Sequence, residues 1–125
     1  MKKFTLVLMV VSIVFASSSC KKDSTDPTYT KSQFIGKWKQ TSPAEVTGVS
    51  YITFNDTQLI TSRAINGVET ADAGINYTFD GKVITCTTIL GNVTYTIKSA
   101  SATTLVLTED WVGIMSLGDF TYTKQ

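Results

Sequence analysis

Histidine is absent from this chain of 125 residues. That removes the side chain most used as a general base near neutral pH and the commonest metal ligand. Only two prolines and two cysteines, Cys20 and Cys86, are present. The multiple-disulfide framework that staples many small secreted domains therefore has nothing to build on. Charge is close to balanced, with 11 basic against 10 acidic residues. No electrostatic footprint for nucleic acid is expected. No apolar run reaches the roughly 20 residues that a membrane-crossing helix needs. The longest, Phe4 to Ala16, is broken by Thr5 and Ser12.

What is there begins with Lys2 and Lys3, continues through that short apolar run, and exits through Ser17, Ser18 and Ser19. A charged start, a short apolar core and a small-residue exit are the parts of a secretory signal peptide, so residues 1–19 are expected to be removed. Cys20 follows directly. The arrangement resembles the lipobox of bacterial lipoproteins, with Ser17 where a leucine is more usual, a looseness tolerated in Bacteroidetes-type lipoproteins. The resemblance implies a diacylglyceryl thioether and an amide-linked, palmitate-type chain on Cys20. The membrane then becomes a partner through N-terminal acyl chains, since two or more chains hold stably at about 0.8 kcal/mol per buried methylene. It also implies an outer-membrane location, with the periplasmic face and the cell surface both open. The other reading is an ordinary secreted protein in which the cysteine is incidental.

Residues 20–31 are polar, with Lys21, Lys22, Asp23, Ser24, Thr25 and Asp26 in succession. They read as a flexible linker, because they carry too little apolar surface to fold. Residues 32–125 suffice for one domain and one modest core. Removing Lys2 and Lys3 from the 11 basic residues leaves nine against ten acidic ones, a net charge of about minus one. With Cys20 acylated, Cys86 has no intrachain partner. It lies mid-strand among β-branched and apolar neighbours, which makes it a small core residue.

Abundant threonine with frequent tyrosine, phenylalanine, valine and isoleucine favours strands. Period-two alternation places them at Phe34–Thr41, Val49–Phe54, Gln58–Ile65, Ile75–Phe79, Lys82–Thr88, Val93–Lys98, Thr103–Glu109 and Phe120–Lys124. Asn66 and Gly67 fit a type I′ hairpin turn, with Val68–Ala71 extending that hairpin. Asp110–Leu117 fits either a wide loop or an extra strand. Turn signals about every ten residues argue an all-β fold, a small eight-stranded antiparallel up-and-down barrel or else a sandwich.

Gly36, Lys37 and Trp38, at the start of the first strand, resemble the Gly-x-Trp signature of the lipocalins. Phe34 to Lys39 is more similar still to the compact lipocalin-like domains of Bacteroidetes lipoproteins. The glycine would let the chain pass close to a neighbour at the closed end of the barrel, and the indole would plug that end by burying on the order of 200 Å². Where full lipocalins place an arginine over the tryptophan, this chain offers Lys124.

A barrel of eight strands is just wide enough to be filled by its own side chains or to hold one small molecule. The inward candidates are Trp38, Ile52, Phe54, Tyr77, Phe79, Tyr95, Ile97, Leu105, Leu107 and Phe120, and with strands of this length the barrel is only about 20 Å tall. One reading is a packed core that presents its loops, Pro43–Gly48, Ala71–Gly74 and Trp111–Gly118, to envelope or host partners. The other keeps an open mouth opposite Trp38 for a small hydrophobic ligand with one polar end. In that case Trp38, Phe54, Tyr77, Tyr95 and Leu107 are the candidate ligand contacts, and Ser62, Ala64 and Thr85 line the mouth. Glu109 and Asp110 do not form a catalytic pair, because adjacent strand residues point to opposite faces; Trp111 packs on the barrel or binds sugar or lipid. No enzyme activity, metal or cofactor is expected, and the barrel is read as a monomer.

Overall fold

The structure is a computed structural model that describes residues 26–125. The expected signal peptide, Cys20 and the first part of the expected linker lie outside the described residues. One short helix, α1 (Lys31–Phe34), precedes nine strands: β1 (Gly36–Ser42), β2 (Val49–Phe54), β3 (Gln58–Ile65), β4 (Val68–Ala71), β5 (Ile75–Phe79), β6 (Val83–Thr88), β7 (Gly91–Ala100), β8 (Thr104–Trp111) and β9 (Met115–Lys124). Every pairing is antiparallel, and β1 bonds to both β2 and β9, which closes the sheet. The result is an up-and-down barrel of eight strands, with β4 as an additional strand beside β3. Closure leaves the barrel strands without the unpaired edge that invites association.

One end is shut. The Thr30 N–H donates to Gln33 Oε1 at 2.7 Å, which holds the single turn of α1 in place. That turn drops Phe34 into the barrel, fully buried, with its ring edge-on to Phe54 at 5.2 Å and Phe79 at 4.8 Å. Phe34 thus belongs to a helical turn, and the first strand begins at Gly36 instead. Its alternation with Gly36 and Trp38 reflects a shared destination rather than a shared strand. Trp38, 1% exposed, donates its indole N–H to the Phe34 carbonyl at 2.6 Å. The Lys124 ammonium lies 4.4 Å above the Trp38 ring and donates to the Ile35 carbonyl. A Cβ on Gly36 would run into that lysine, and Gly36 sits at φ +125, so the close approach needs glycine.

The three turns at this end share one device. Asn55 Oδ1 accepts from the N–H groups of Thr57 and Gln58, Asp80 Oδ1 from Lys82 and Val83, and Ser101 Oγ from Thr103 and Thr104. Side chains that satisfy the turn's own amides hold it without help from the core. The chain enters here too: the Tyr29 N–H donates to the Gly81 carbonyl at 2.7 Å and its hydroxyl to the Lys98 carbonyl at 3.0 Å. Ordered contacts therefore begin inside the stretch read as linker.

Above this floor the barrel is solid. Ile52, Leu59, Ile84, Cys86, Ile97, Leu105 and Leu107 are each no more than 2% exposed. The alternation anticipated on β2, β7 and β8 sets most of them inward. On β3 the register decides. Phe54 faces Leu59 and Ile52 faces Thr61, so the odd-numbered residues point in. Ser62 and Ala64 accordingly sit on the outer face, where the Ser62 hydroxyl donates to Glu69 at 2.6 Å. Thr85 faces outward as well, between Thr78 and Thr94. Ala64 and Thr85 therefore do not line the mouth, where the sequence reading had them, while Ser62 borders the mouth lobe with its hydroxyl turned away to Glu69.

The opposite end stays open. Asn66 and Gly67, at φ 53 and 81, make the expected tight turn. From Leu59 to Ser62 is three steps on β3, while their partners Ile75 and Ala71 are four apart, so one extra residue bulges the chain between β4 and β5. Asp110–Leu117 resolves into strand: β8 runs to Trp111, β9 starts at Met115, and Val112–Ile114 form the tip.

Candidate functional site

The open end holds two adjoining lobes. One, of about 250 Å³, is lined by residues that include Gln40, Thr61, Arg63, Tyr95, Glu109 and Tyr122. The other, of about 240 Å³, is lined by Leu59, Ile75, Cys86, Val93 and Trp111 among others, and shares Thr61, Tyr95 and Glu109 with the first. The lobes differ in character: the first carries the hydroxyls and charges, the second the aliphatic wall.

Strand parity builds this mouth. On β8 the inward positions run Leu105, Leu107, Glu109 and Trp111, so the face that packs the core ends in a carboxylate. Register sets Glu109 opposite Tyr95 and Trp111 opposite Val93. The Trp111 indole N–H donates to Glu109 Oε1 at 2.9 Å. Burial holds the Glu109 carboxyl above its ordinary value, the Trp111 hydrogen bond pulls it back, and the charge of Asp110 adds to the rise. Asp110 itself faces out, so the two carboxylates share no site.

Tyr95 is 7% exposed and Tyr122 5%. Burial, followed by the Glu109 charge, pushes both phenols up. Neither phenol oxygen bonds to another described residue. No side-chain N or O sealed from solvent lacks a partner among the described residues, so these two oxygens look onto the open lobe. Nearby polar groups are already engaged: Thr61 Oγ1 donates to Asp72 at 2.6 Å, and the Arg63 guanidinium pairs with Glu45 at 2.8 Å and donates to the Thr47 carbonyl.

Of the five residues expected to contact a ligand, Tyr95 alone reaches the mouth. Trp38, Phe54 and Leu107 are part of the filled section, each no more than 1% exposed. Tyr77 lies low in the barrel, its hydroxyl donating to the Asn55 carbonyl at 2.6 Å. Glu109, Tyr122 and Thr61 were not singled out as ligand contacts. The signal for Glu109 was its place in the inward series of β8.

Cys86 is buried and free, and burial pushes its thiol up to about 11. It has no activating partner. Among the described residues no group of three or more His, Cys, Asp or Glu side chains is placed to hold a metal ion, and no helix is long and apolar enough to cross a membrane. No protein-family model, curated protein or solved structure matches the chain.

Proposed function

We propose that this chain is a lipid-anchored envelope protein of lipocalin-like type whose barrel binds a small, largely apolar molecule in its open mouth. The observation that carries the reading is the pair of lobes above a solid core, with two buried phenols that have no partner among the described residues. A barrel that served only as a scaffold would gain from filling this space, since packed interiors leave few voids. Together the lobes fall in the lower half of the volume range typical of ligand pockets. That suits one small molecule rather than a long lipid.

The anchor fits the same picture. Asp26 pairs with Lys82 at 2.6 Å on the closed end, and Cys20 lies six residues before it, at most about 20 Å of extended chain. An acylated Cys20 would hold the closed end toward the bilayer and turn the mouth away from it.

The loop-presenting reading has one observation in its favour. Val46, Val68, Ile89, Leu90, Val112 and Ile114 are all exposed and all cap the mouth end. Apolar tips of this kind suit contact with a partner.

Titration of the chain starting at Cys20, with Cys20→Ser to keep it soluble, tests the ligand reading. Small aromatic and aliphatic compounds should alter Trp111 fluorescence, and Trp111→Phe should abolish the change. A panel with no saturable binder would sink it. In cells the same Cys20→Ser change should move the protein to the soluble fraction, and retention on membranes would refute the anchor.

A further inference from the structure

The mouth carries a charge imbalance that narrows the chemistry of its occupant. Among the described residues, the ion pairs near the mouth are Arg63 with Glu45 and Lys37 with Glu69. Asp72, Glu109 and Asp110 have no cation within ion-pair distance among the described residues. Glu109 and Asp72 both line the lobe, Asp72 accepting from Thr61, and Arg63, the one cation lining it among the described residues, is held by Glu45 and Thr47. A desolvated carboxylate without a cation is costly, and the cost falls sharply when a cation with hydrogen-bond donors joins it.

Ligand classes can be sorted on this basis. A carboxylate or phosphate would meet Glu109 uncompensated. A neutral apolar molecule would cover Glu109 and strand it further from water. A bare metal ion lacks a set of three or more ligating side chains. A protonated amine brings both charge and donors, and the Tyr95 and Tyr122 oxygens, otherwise unbonded, are free to accept from it. The rings of Tyr95, Tyr122 and Trp111 line the same space, and aromatic faces attract cations. The aliphatic lobe beside it, with Ile75 and Val93, offers an apolar body a wall. The acidic groups around the mouth would steer cations inward.

We propose that the mouth is a site for a small organic amine, its ammonium seated against the Glu109 carboxylate between Tyr95 and Tyr122 and its apolar body in the lobe walled by Ile75, Val93 and Trp111. This rests on the ligand-binding reading above and names the ligand class.

The test is calorimetric titration of three matched probes, phenethylamine, 2-phenylethanol and 3-phenylpropionate, into the Cys20→Ser chain. The barrel's core and closure lie wholly within residues 29–125, so this chain retains the fold. Phenethylamine should bind at least tenfold more tightly than the alcohol, with the acid weakest. Glu109→Gln should erase the amine's advantage by weakening the amine and tightening the alcohol, which no longer strands a carboxylate from water. Tyr122→Phe, which keeps the ring, should weaken the amine several-fold. Asp56→Asn, in a closed-end turn, is the control and should change nothing. Circular dichroism melts establish that each variant is folded. Equal binding of alcohol and amine, or tighter binding of the acid, would overturn the amine assignment while leaving a small-molecule site standing. An amine preference that survives Glu109→Gln also overturns it. No binding by any of the three overturns the assignment, and the broader panel of apolar compounds then decides the ligand reading itself.

Discussion

Replacing Trp38 by phenylalanine attacks the floor of the barrel with the smallest change that keeps a ring. Three losses add. The Phe34 carbonyl, sealed beneath the indole, loses its donor at 2.6 Å, and an unpaired buried acceptor costs about 1–3 kcal/mol. The missing part of the indole leaves a gap that the surrounding chain only partly closes, which adds about 1 kcal/mol at roughly 24 cal/mol per Å³. Lys124, 4.4 Å above the ring, keeps a weaker face, a loss of a few tenths of the roughly 0.5–2 kcal/mol that such a contact supplies. The sum is about 2–4 kcal/mol, against about 5–15 kcal/mol for a domain of this size. In urea, with a slope of about 2 kcal/mol per molar, the midpoint should fall by about 1–2 M. Trp111→Phe is the comparison. Trp111 is partly buried and its indole serves Glu109 at the open mouth, where water can replace the lost donor, so the loss there should be smaller, about 1 kcal/mol. A Trp38→Phe chain within about 0.5 kcal/mol of the parent would refute the claim that this indole closes the barrel, because surface substitutions cost no more than that.

Other outcomes follow from the same contacts. Burial raises the Glu109 carboxyl above its ordinary value of 4.5, so its contribution to stability is fully present below that value and is lost as pH rises through the raised one. The advantage in melting temperature of Glu109→Gln over the parent should therefore widen from pH 4 to pH 7, and a constant difference would contradict the burial. Cys86, buried and with its thiol pushed up to about 11, should react with a thiol reagent at the rate of barrel opening; immediate reaction in the native state would show it exposed. Asp80→Ala removes the acceptor for the Lys82 and Val83 N–H groups. It should cost about 1 kcal/mol in denaturant unfolding, as loss of such a side-chain acceptor usually does, and a neutral result would mean the turn holds itself.

Much of the barrel was legible because strand patterning on a closed sheet has one solution. Val93, Tyr95 and Ile97 on β7 alternate with threonines and a lysine, and all three point in. Asn66 and Gly67 announced their turn. Where the reading slipped, a non-local choice was at work. Phe34 looked like the first inward residue of a strand, yet its burial comes from a helical turn folded under the barrel. Ser62 and Ala64 looked like small residues suited to a lumen. The pairing of β3 with β2 set the opposite parity, and no residue in β3 alone reveals which partner aligns with which. Lys124 lacks the planar fork of an arginine, but its length lets the ammonium reach both the Trp38 face and the Ile35 carbonyl, a contact that depends on where β9 ends.

The mouth was half-legible for a similar reason. Leu105, Leu107, Glu109 and Trp111 share a parity that already set Glu109 inside, and that parity was used only to separate it from Asp110. What could not be read was height. Trp38, Phe54 and Leu107 are inward and ring-forming or large, but so is everything in a filled core. Only the tilt and stagger of the strands decide which inward residues fall within the solid section and which at the rim.

The two indole N–H groups make the most direct probe of the account. Trp38 holds the Phe34 carbonyl at the closed end, and Trp111 holds Glu109 at the mouth. In a nitrogen–proton correlation spectrum of the Cys20→Ser chain they give two separate indole signals. Addition of phenethylamine should move the Trp111 signal along a saturable path and leave Trp38 where it stands. Movement of Trp38, or of neither, would contradict a barrel that is shut below and binds above.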